Sequence, residues 1–325
     1  KFIEIMIMLI ALLGFTSGNV WILLIVLFLM GTHSAFFGPV KYAVLPQHLH
    51  ADELVGGNAW VGAGTFLAIL LGTITGGVLA GSTHSHGVLP VVLIAIAVLG
   101  FGASRFIPAA PSQSHSVKLN WNPIVETWHV MKHANQNRAV FLSIMGISWF
   151  WLMGSVYLTQ LPNFTRITLH SDASVVTLLL SLFSTGIGAG CLLCERLSGK
   201  KVELGLVPLG AAGLTAFGID LHFAGEAFIT DHLLQLNTFV LQAQALRVMF
   251  DIFGIGMFGG FFIVPLYAMV QQRTEPEKRA RVIAANNVLN ALFMVASAGI
   301  SAGMLGAGLS IPQLFLEFLL EQYLD

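Results

Sequence analysis

Long apolar stretches separated by short polar connections dominate this chain. Spanning a bilayer as a helix takes about 20 mostly apolar residues, because the backbone polar groups must bond to one another. The pattern predicts nine such helices and a partial tenth near residues 311–322. The nine segments lie near residues 2–16, 20–44, 57–80, 87–107, 139–162, 173–194, 203–223, 248–271 and 282–306. The chain is therefore predicted to be an all-α membrane protein.

The composition supports lipid as the solvent for much of the chain. Hydrophobic residues make up 56% of it and charged residues only 10%, whereas about 25% is usual in soluble domains. The net charge of −1 gives no indication of nucleic-acid binding. The chain enters an apolar stretch directly after Lys1 and stops at Asp325, so we expect that residues are missing at both ends.

The basic residues fall almost entirely on one side of the predicted helices. Lysine and arginine accumulate on the cytoplasmic side of membrane proteins. If every segment crosses, 13 of the 15 share one side and only Arg166 and Arg247 lie opposite. The 13 are Lys1, Lys41, Arg105, Lys118, Lys132, Arg138, Arg196, Lys200, Lys201, Arg273, Lys278, Arg279 and Arg281. This asymmetry supports the helix count and indicates which connections face the cytoplasm.

Two connections are long. In the cytoplasmic one, Asn122-Pro123 is typical of a helix start, and apolar residues then share one face, which predicts a short surface helix. An ordinary amphipathic linker and a partner-docking helix are both compatible with this pattern. In the second, about 224–247, Leu233, Leu236 and Val240 favour another helix on the outer side.

The second and eighth segments resemble each other. Without gaps, Gly31 aligns with Gly256, Phe36-Phe37 with Phe261-Phe262, Tyr42-Ala43 with Tyr267-Ala268 and Gln47 with Gln272. Chance similarity between two helices rich in Gly and Phe is the alternative. Equivalent topological positions favour a parallel-repeat transporter with six helices in each half.

Several motifs resemble the bacterial lysophospholipid transporters of the major facilitator superfamily. They are Gly38-Pro39-Val40-Lys41-Tyr42, Leu54-Val55-Gly56-Gly57-Asn58, Gly259-Gly260-Phe261-Phe262 and Ala284-Ala285-Asn286-Asn287. Residues Val175 to Leu209, with Cys191-Leu-Leu-Cys194, look closest to members fused to an acyltransferase and an acyl-ligase. The similarity extends over nearly the whole chain.

The resemblance implies a major facilitator fold of two pseudo-symmetric six-helix halves, with nine to ten of the twelve helices present. The N-terminal half would be residues 1–107, with helices three to six. Residues 108–138 would be the cytoplasmic linker, and residues 139–325 the C-terminal half, with helices seven to eleven and part of twelve.

The resemblance also implies a function. Such a protein moves lysophospholipids from the outer to the inner leaflet of the bacterial cytoplasmic membrane, where an acyltransferase or acyl-ligase, fused or separate, reacylates them. Membrane lipids are further partners, and no nucleic acid is expected. Two family features are absent: the glutamate that many members carry falls near Gly62, and Tyr157 to Gln160 include no arginine.

Lys41, beside Pro39 and Tyr42, is the leading candidate for substrate contact. A charge within a span is costly and usually functional, although a lysine near a helix end can extend to water. Amides in apolar spans serve either as contacts between helices or as substrate ligands. The amides are Asn58, Asn286, Asn287, Asn290 and, more weakly, Gln160, close to Tyr157.

The remaining motifs favour structure over chemistry. Gly72-x-x-x-Gly76, Gly77-x-x-x-Gly81, Gly186-x-x-x-Gly190 and Gly299-x-x-x-Gly303 predict close helix packing. Cys191 and Cys194 are expected to pack in the core, and His84 and His86 to be solvated; no cofactor or metal site is expected. No Walker loop is present, and His48 and Asp52 do not have the spacing of an acyltransferase motif.

Three classes of function remain compatible with the sequence. The first is the lysophospholipid transporter. The second is a facilitator-type exporter of another amphiphile or a drug, since a shared fold does not determine the substrate. The third is a membrane scaffold or enzyme anchor, which the polar residues at membrane depth disfavour.

The charge asymmetry generates a topology prediction. Residues 108–138 and 273–281 should face the cytoplasm, and residues 82–86 and 224–247 the outside. In a background lacking Cys191 and Cys194, a Lys118→Cys variant should resist impermeant thiol reagents in intact cells and react after permeabilisation. Labelling of residue 118 from outside would overturn the topology.

Overall fold

A computed structural model describes residues 1–80, 85–109, 122–199, 203, 205–230 and 232–320. The described residues are almost entirely helical. Their α-helices are α1 Phe2–Ser17, α2 Val20–His48, α3 Leu54–Ala80, α4 Ser85–Ser104, α5 Pro123–Ala134, α6 Arg138–Asn163, α7 Ala173–Leu197, α8 Leu206–Glu226, α9 Leu236–Phe239, α10 Ala243–Arg273, α11 Pro276–Gly306 and α12 Ile311–Leu320. A π-helical turn, Phe164–Thr168, follows α6.

Each of the nine predicted segments coincides with one helix, so the all-α membrane class is confirmed. Within the described residues, eight helices are long and apolar enough to cross a membrane, while α1 and α12 are shorter. The boundaries differ most for α10 and α11, which have 31 residues each. Helices of that length measure about 46 Å and exceed the hydrocarbon thickness. Arg247, Lys278 and Arg279 therefore lie on helix ends rather than in the connections.

The structure contains the helix predicted in the first long connection and only part of the one predicted in the second. The predicted surface helix is α5, and the Asn122 side chain accepts a hydrogen bond from the backbone N–H of Val125 at 3.2 Å. The helix expected over Leu233 to Val240 is wrong except for the short α9. Leu234 instead forms a parallel bridge with Ser171, and this pairing requires extended backbone. Gly81, His84, Lys118, Lys200, Lys201 and Asp231 lie outside the described residues.

The chain divides into two compact units. The first comprises Lys1–His48 and Leu71–Val117. In it α1 packs against α2 and α4, and Ile7, Met8, Ala11, Val26 and Ala97 form a buried cluster. Many large apolar side chains of this unit remain exposed, including Trp21 at 76% and Phe28 at 73%. Apolar surface on this scale is typical of helices that face lipid.

The second unit comprises Leu49–Leu70 and Lys118–Asp325, and α10 is its central helix. This helix packs against α6, α7 and α8, while α11 lies on α6 and α12 lies on α8. Every residue of α10 from Gly259 to Gln271 is buried. Because this stretch of α10 is enclosed by other helices, the side chains of Tyr267 and Gln271 face protein rather than lipid.

Glycine allows α10 and α7 to meet backbone to backbone. A Cβ at Gly190 would overlap the carbonyl oxygen of Met257, and one at Gly260 would overlap the backbone of Gly190 and Cys191. A Cβ at Gly186 would overlap the carbonyl oxygen of Phe253, and one at Gly256 would overlap the carbonyl oxygen of Phe183. The predicted close packing at Gly186-x-x-x-Gly190 is thus confirmed.

The pairs Gly72–Gly76 and Gly299–Gly303 do not mediate close packing among the described residues, and Gly77 has no described partner because Gly81 lies outside them. Among the described residues, nothing lies within 4 Å of a Cβ built at Gly72, Gly76, Gly77, Gly299 or Gly303. These glycines therefore lie on open faces of α3 and α11. Small residues permit a close approach only where a second helix is present, so the prediction is wrong at these sites.

This contrast predicts how alanine substitutions affect stability. Gly190→Ala should lower the melting temperature in detergent, because overpacking a tight contact costs about 1–3 kcal/mol. Gly303→Ala is the matched control on an open helix face, and it should leave the melting temperature unchanged or raise it. Fluorescence-monitored thermal unfolding measures both. Equal melting temperatures would show that the α7–α10 contact does not limit stability.

Candidate functional site

Lys41 lies near the end of α2, between Pro39 and Pro46. Its side chain is half-buried, as is Pro39, and its Nζ is 4.9 Å from the centre of the buried Tyr42 ring, a distance typical of a cation–π contact. Because proline has no N–H, the carbonyl of Ala35 lacks its usual helical donor. The structure thus places an ammonium beside an aromatic face on one stretch of helix.

Asn58 forms a reciprocal amide pair with Gln271. The Asn58 Nδ2 donates to Gln271 Oε1 at 2.6 Å, and Gln271 Nε2 donates to Asn58 Oδ1 at 3.1 Å. Both side chains are buried, at 2% and 0% exposure. The pair connects α3 to α10, two helices that the predicted repeat places in different halves. Asn58 therefore acts as a contact between helices in this conformation.

Polar side chains also connect α6 with α11. Ser148 donates to Asn290 Oδ1 at 2.9 Å, and two turns further along α6 the hydroxyls of Ser155 and Ser297 lie 2.8 Å apart. We call these two contacts the α6–α11 polar row. Hydrogen bonds of this kind hold transmembrane helices in register. Asn290 therefore has a structural partner here.

The three remaining candidate amides, Asn286, Asn287 and Gln160, lie in different environments. Asn286 is buried at 1% exposure, and its Oδ1 receives no hydrogen bond from the described residues. Asn287, its neighbour, is half-buried. Gln160 accepts a hydrogen bond from Asn163 at 3.0 Å, one turn away on the same helix. Asn286 is therefore the amide with an unused acceptor, whereas Gln160 interacts locally.

Gly62 packs against Cys191. A Cβ at Gly62 would lie 3.0 Å from the Cys191 sulfur, so a side chain here would have to displace the thiol. A glutamate at this position, which the family resemblance led us to look for, would therefore require the Cys191 side chain to move. Cys191 and Cys194 are both free and buried, in agreement with the predicted packing role. The described residues contain no group of side chains that could hold a metal ion.

Sequence reasoning missed several polar residues that the structure places in the core. The alignment of the two similar segments pairs Gln47 with the exposed Gln272, whereas the buried glutamine is its neighbour Gln271. The indole of Trp151 donates to the hydroxyl of Tyr267 at 3.1 Å. Asp251 is 1% exposed within α10. An acidic residue inside an apolar segment was the available signal for Asp251.

The fold and sequence comparisons agree on one superfamily. The model of the Major Facilitator Superfamily matches residues 3–315. The chain belongs to the Major Facilitator Superfamily. The multi-pass helical fold predicted from the motifs is thereby confirmed for this facilitator. Its backbone is also similar to the superfamily transporter FucP in the outward conformation. The TM-score is 0.66 at 12% identity, covering 98% of this chain and 78% of FucP.

Curated relatives of the facilitator are named lysophospholipid transporters. The Lysophospholipid transporter LplT of Serratia proteamaculans (strain 568) is 30% identical over 256 residues, which are 75% of this chain and 57% of that protein. LplT of Cronobacter sakazakii (strain ATCC BAA-894) is 29% identical over 290 residues, or 87% of this chain and 66% of that protein. The chain spans less than two thirds of the length of these relatives.

The buried amide pair generates a stability prediction. Asn58→Leu alone should destabilise the facilitator by about 1–3 kcal/mol, because it removes both hydrogen bonds that the buried Gln271 amide makes with Asn58. The double variant Asn58→Leu/Gln271→Leu should recover most of this loss, since it removes both polar groups together. Thermal unfolding of the wild type, both single variants and the double variant gives the double-mutant cycle that measures the interaction. Additive effects of the two substitutions would show that the amides do not interact.

Proposed function

We propose that this facilitator carries lysophospholipids from the outer to the inner leaflet of the bacterial cytoplasmic membrane by alternating access. The observation that carries the proposal is the half-buried Lys41 on a membrane-spanning helix, in contact with the Tyr42 ring. A compact ammonium suits a phosphate group, which every glycerolysophospholipid headgroup contains. The names of the relatives support the same substrate class.

The substrate's two ends place different demands on the protein. A charged headgroup is costly to move through hydrocarbon, so polar groups must accompany it. We propose that Lys41, Tyr42 and Pro39 supply one part of this path, and that Asn286 and Asn287 on α11 supply another. Asn58, Asn290 and Gln160 would join the path only in conformations that break their present contacts. The single acyl chain could remain in lipid throughout.

The parts of the chain that would move during transport correspond to the predicted domains. Residues 1–107 and 139–325 would form the two moving halves, joined by the linker at 108–138. An acyltransferase or acyl-ligase, fused or separate, would consume the lipid that arrives in the inner leaflet. Reacylation would make transport effectively one-way, because the diacyl product no longer fits a carrier for single-chain lipids.

Substitution of Lys41 tests the proposal. Lys41→Ala should reduce lysophospholipid uptake into spheroplasts by about tenfold or more, which corresponds to the loss of one charge-assisted hydrogen bond. Lys41→Arg should retain more activity because the positive charge remains. Lys132→Ala, at an exposed position of α5, is the control for loss of a basic residue elsewhere. Full uptake by Lys41→Ala at equal expression would remove the lysine from the substrate path.

Competing lipids in the same assay identify the substrate class. Single-chain lipids of several lengths should compete for uptake, whereas diacyl lipids with the same headgroup should not. Equal competition by diacyl lipids would indicate a general scramblase. Competition only by soluble drugs or metabolites would favour the exporter of another amphiphile, the alternative that the sequence left open.

A further inference from the structure

A cavity of about 180 Å³ lies where α5, the start of α6 and the α10–α11 connection meet. Its polar wall is formed by Gln136, Asn137, Arg273, Thr274, Glu275 and Lys278. A second cavity of about 130 Å³ adjoins it, since Lys278 and Val282 line both. His129 and Arg281 line the second cavity. We call the two cavities together the linker groove. The lysophospholipid path described above does not use it.

The linker groove lies in a region with an excess of positive charge. Residues 122–140 and 271–283 contain six lysines and arginines but only three glutamates. The basic residues are Lys132, Arg138, Arg273, Lys278, Arg279 and Arg281. Among the described residues that line the groove, Glu275 is the one acid, and it is paired with Lys278 at 2.7 Å. The groove therefore favours an anion over a cation.

Thr274 lines the larger cavity and has an unused hydroxyl. The residue is 9% exposed, and its Oγ1 has no hydrogen-bond partner among the described residues. Its backbone, in contrast, is engaged on both sides. The N–H donates to the carbonyl of Val270 at 3.2 Å, and the carbonyl accepts a hydrogen bond from Arg279 at 3.3 Å. A buried hydroxyl without a partner is costly, and an oxygen of a ligand in the cavity would satisfy it.

The larger cavity also lies at the beginning of α11. This helix of 31 residues starts at Pro276, and the side chain of Glu275 before it makes no capping hydrogen bond. A helix N-terminus carries a partial positive charge and attracts phosphate groups. Glu277, in the first turn, is exposed and does not line the cavity. Together with Arg273 and the Thr274 hydroxyl, the helix start supplies the kind of donors that a phosphate group accepts.

The two faces of α5 place the groove at the level of lipid headgroups. Val130 and Ala134 are buried where α5 packs against α11 and α6. On the opposite face Trp128 is 71% exposed and Val125 is 39% exposed, and the exposed Lys132 shares this face. Exposed tryptophan beside lysine is typical of a helix that lies in the headgroup layer. A lipid phosphate is therefore the anion nearest to the groove.

We propose that the linker groove binds the phosphate group of an anionic phospholipid, in the leaflet that the basic residues predict to be the inner one. Basic pockets between membrane helices on the cytoplasmic side bind such headgroups. Arg273 and Lys278 neutralise the phosphate, and the Thr274 hydroxyl donates to one of its oxygens. A zwitterionic headgroup is disfavoured because Glu275 is already paired and offers no carboxylate to an ammonium group. The bound lipid joins α5 to the start of α11.

Native mass spectrometry of the purified, full chain measures the lipid that stays bound. Wild type should retain phosphatidylglycerol more tightly than phosphatidylethanolamine with the same acyl chains. Arg273→Gln should weaken phosphatidylglycerol binding by about tenfold, because one charge-assisted hydrogen bond is lost. Arg196→Gln, at an exposed position in the last turn of α7, is the matched control and should bind as wild type does. Equal binding by wild type and Arg273→Gln, or no preference for phosphatidylglycerol, would overturn the proposal.

Thermal unfolding in detergent tests the hydroxyl and the source of the phosphate. Added phosphatidylglycerol should raise the melting temperature of wild type, because a ligand of the folded state stabilises it. Thr274→Val should lose part of this shift, and Thr274→Ser should keep it. Inorganic phosphate should not reproduce the shift. A full shift in Thr274→Val would exclude the hydroxyl from the site, and an equal shift with inorganic phosphate would show a site for soluble anions instead. No lysophospholipid is present, so the result does not depend on the proposed function.

Discussion

The contact between the backbones of α7 and α10 is the constraint on which the second unit depends. In a membrane, helices gain little from leaving lipid for protein, so close packing and hydrogen bonds must hold them together. Gly186 and Gly190 on one helix meet Gly256 and Gly260 on the other, and no side chain separates them. This approach brings α10 to the centre of the unit, where α8 and α6 can enclose its remaining faces.

Enclosure of α10 is what makes its polar residues tolerable. Asp251 and Gln271 are 20 residues apart, which corresponds to about 30 Å along the helix and to the thickness of the hydrocarbon region. Gln271 is satisfied by Asn58, so its role in this conformation is to join helices. Asp251 is buried without a donor among the described residues. One helix therefore carries a satisfied polar contact near one end and, near the other, a buried acid whose oxygens receive no hydrogen bond from the described residues.

Sequence patterns predicted the helices well because their physical cause is local. Each apolar run is long enough to span a bilayer. The start of α5 is set by a hydrogen bond between Asn122 and Val125, which are only three residues apart in the sequence. Patterns predicted the site less well. Gln47 aligns with Gln272, yet the buried partner of Asn58 is Gln271. Successive residues on a helix point about 100° apart, so an alignment shifted by one residue selects the wrong face.

The glycine motifs also show that identical local sequence patterns can have different tertiary surroundings. Gly186-x-x-x-Gly190 and Gly299-x-x-x-Gly303 are equivalent as sequence, but a second backbone covers the first and open space surrounds the second. By itself the sequence determined that the chain is an all-α membrane protein, which helices it forms, and the superfamily to which its motifs belong. The tertiary structure alone decided which glycines are contacts, which amides are paired, and that Asp251 is buried. Those properties depend on neighbours distant along the chain, and hydrophobic periodicity carries no information about which helices become neighbours.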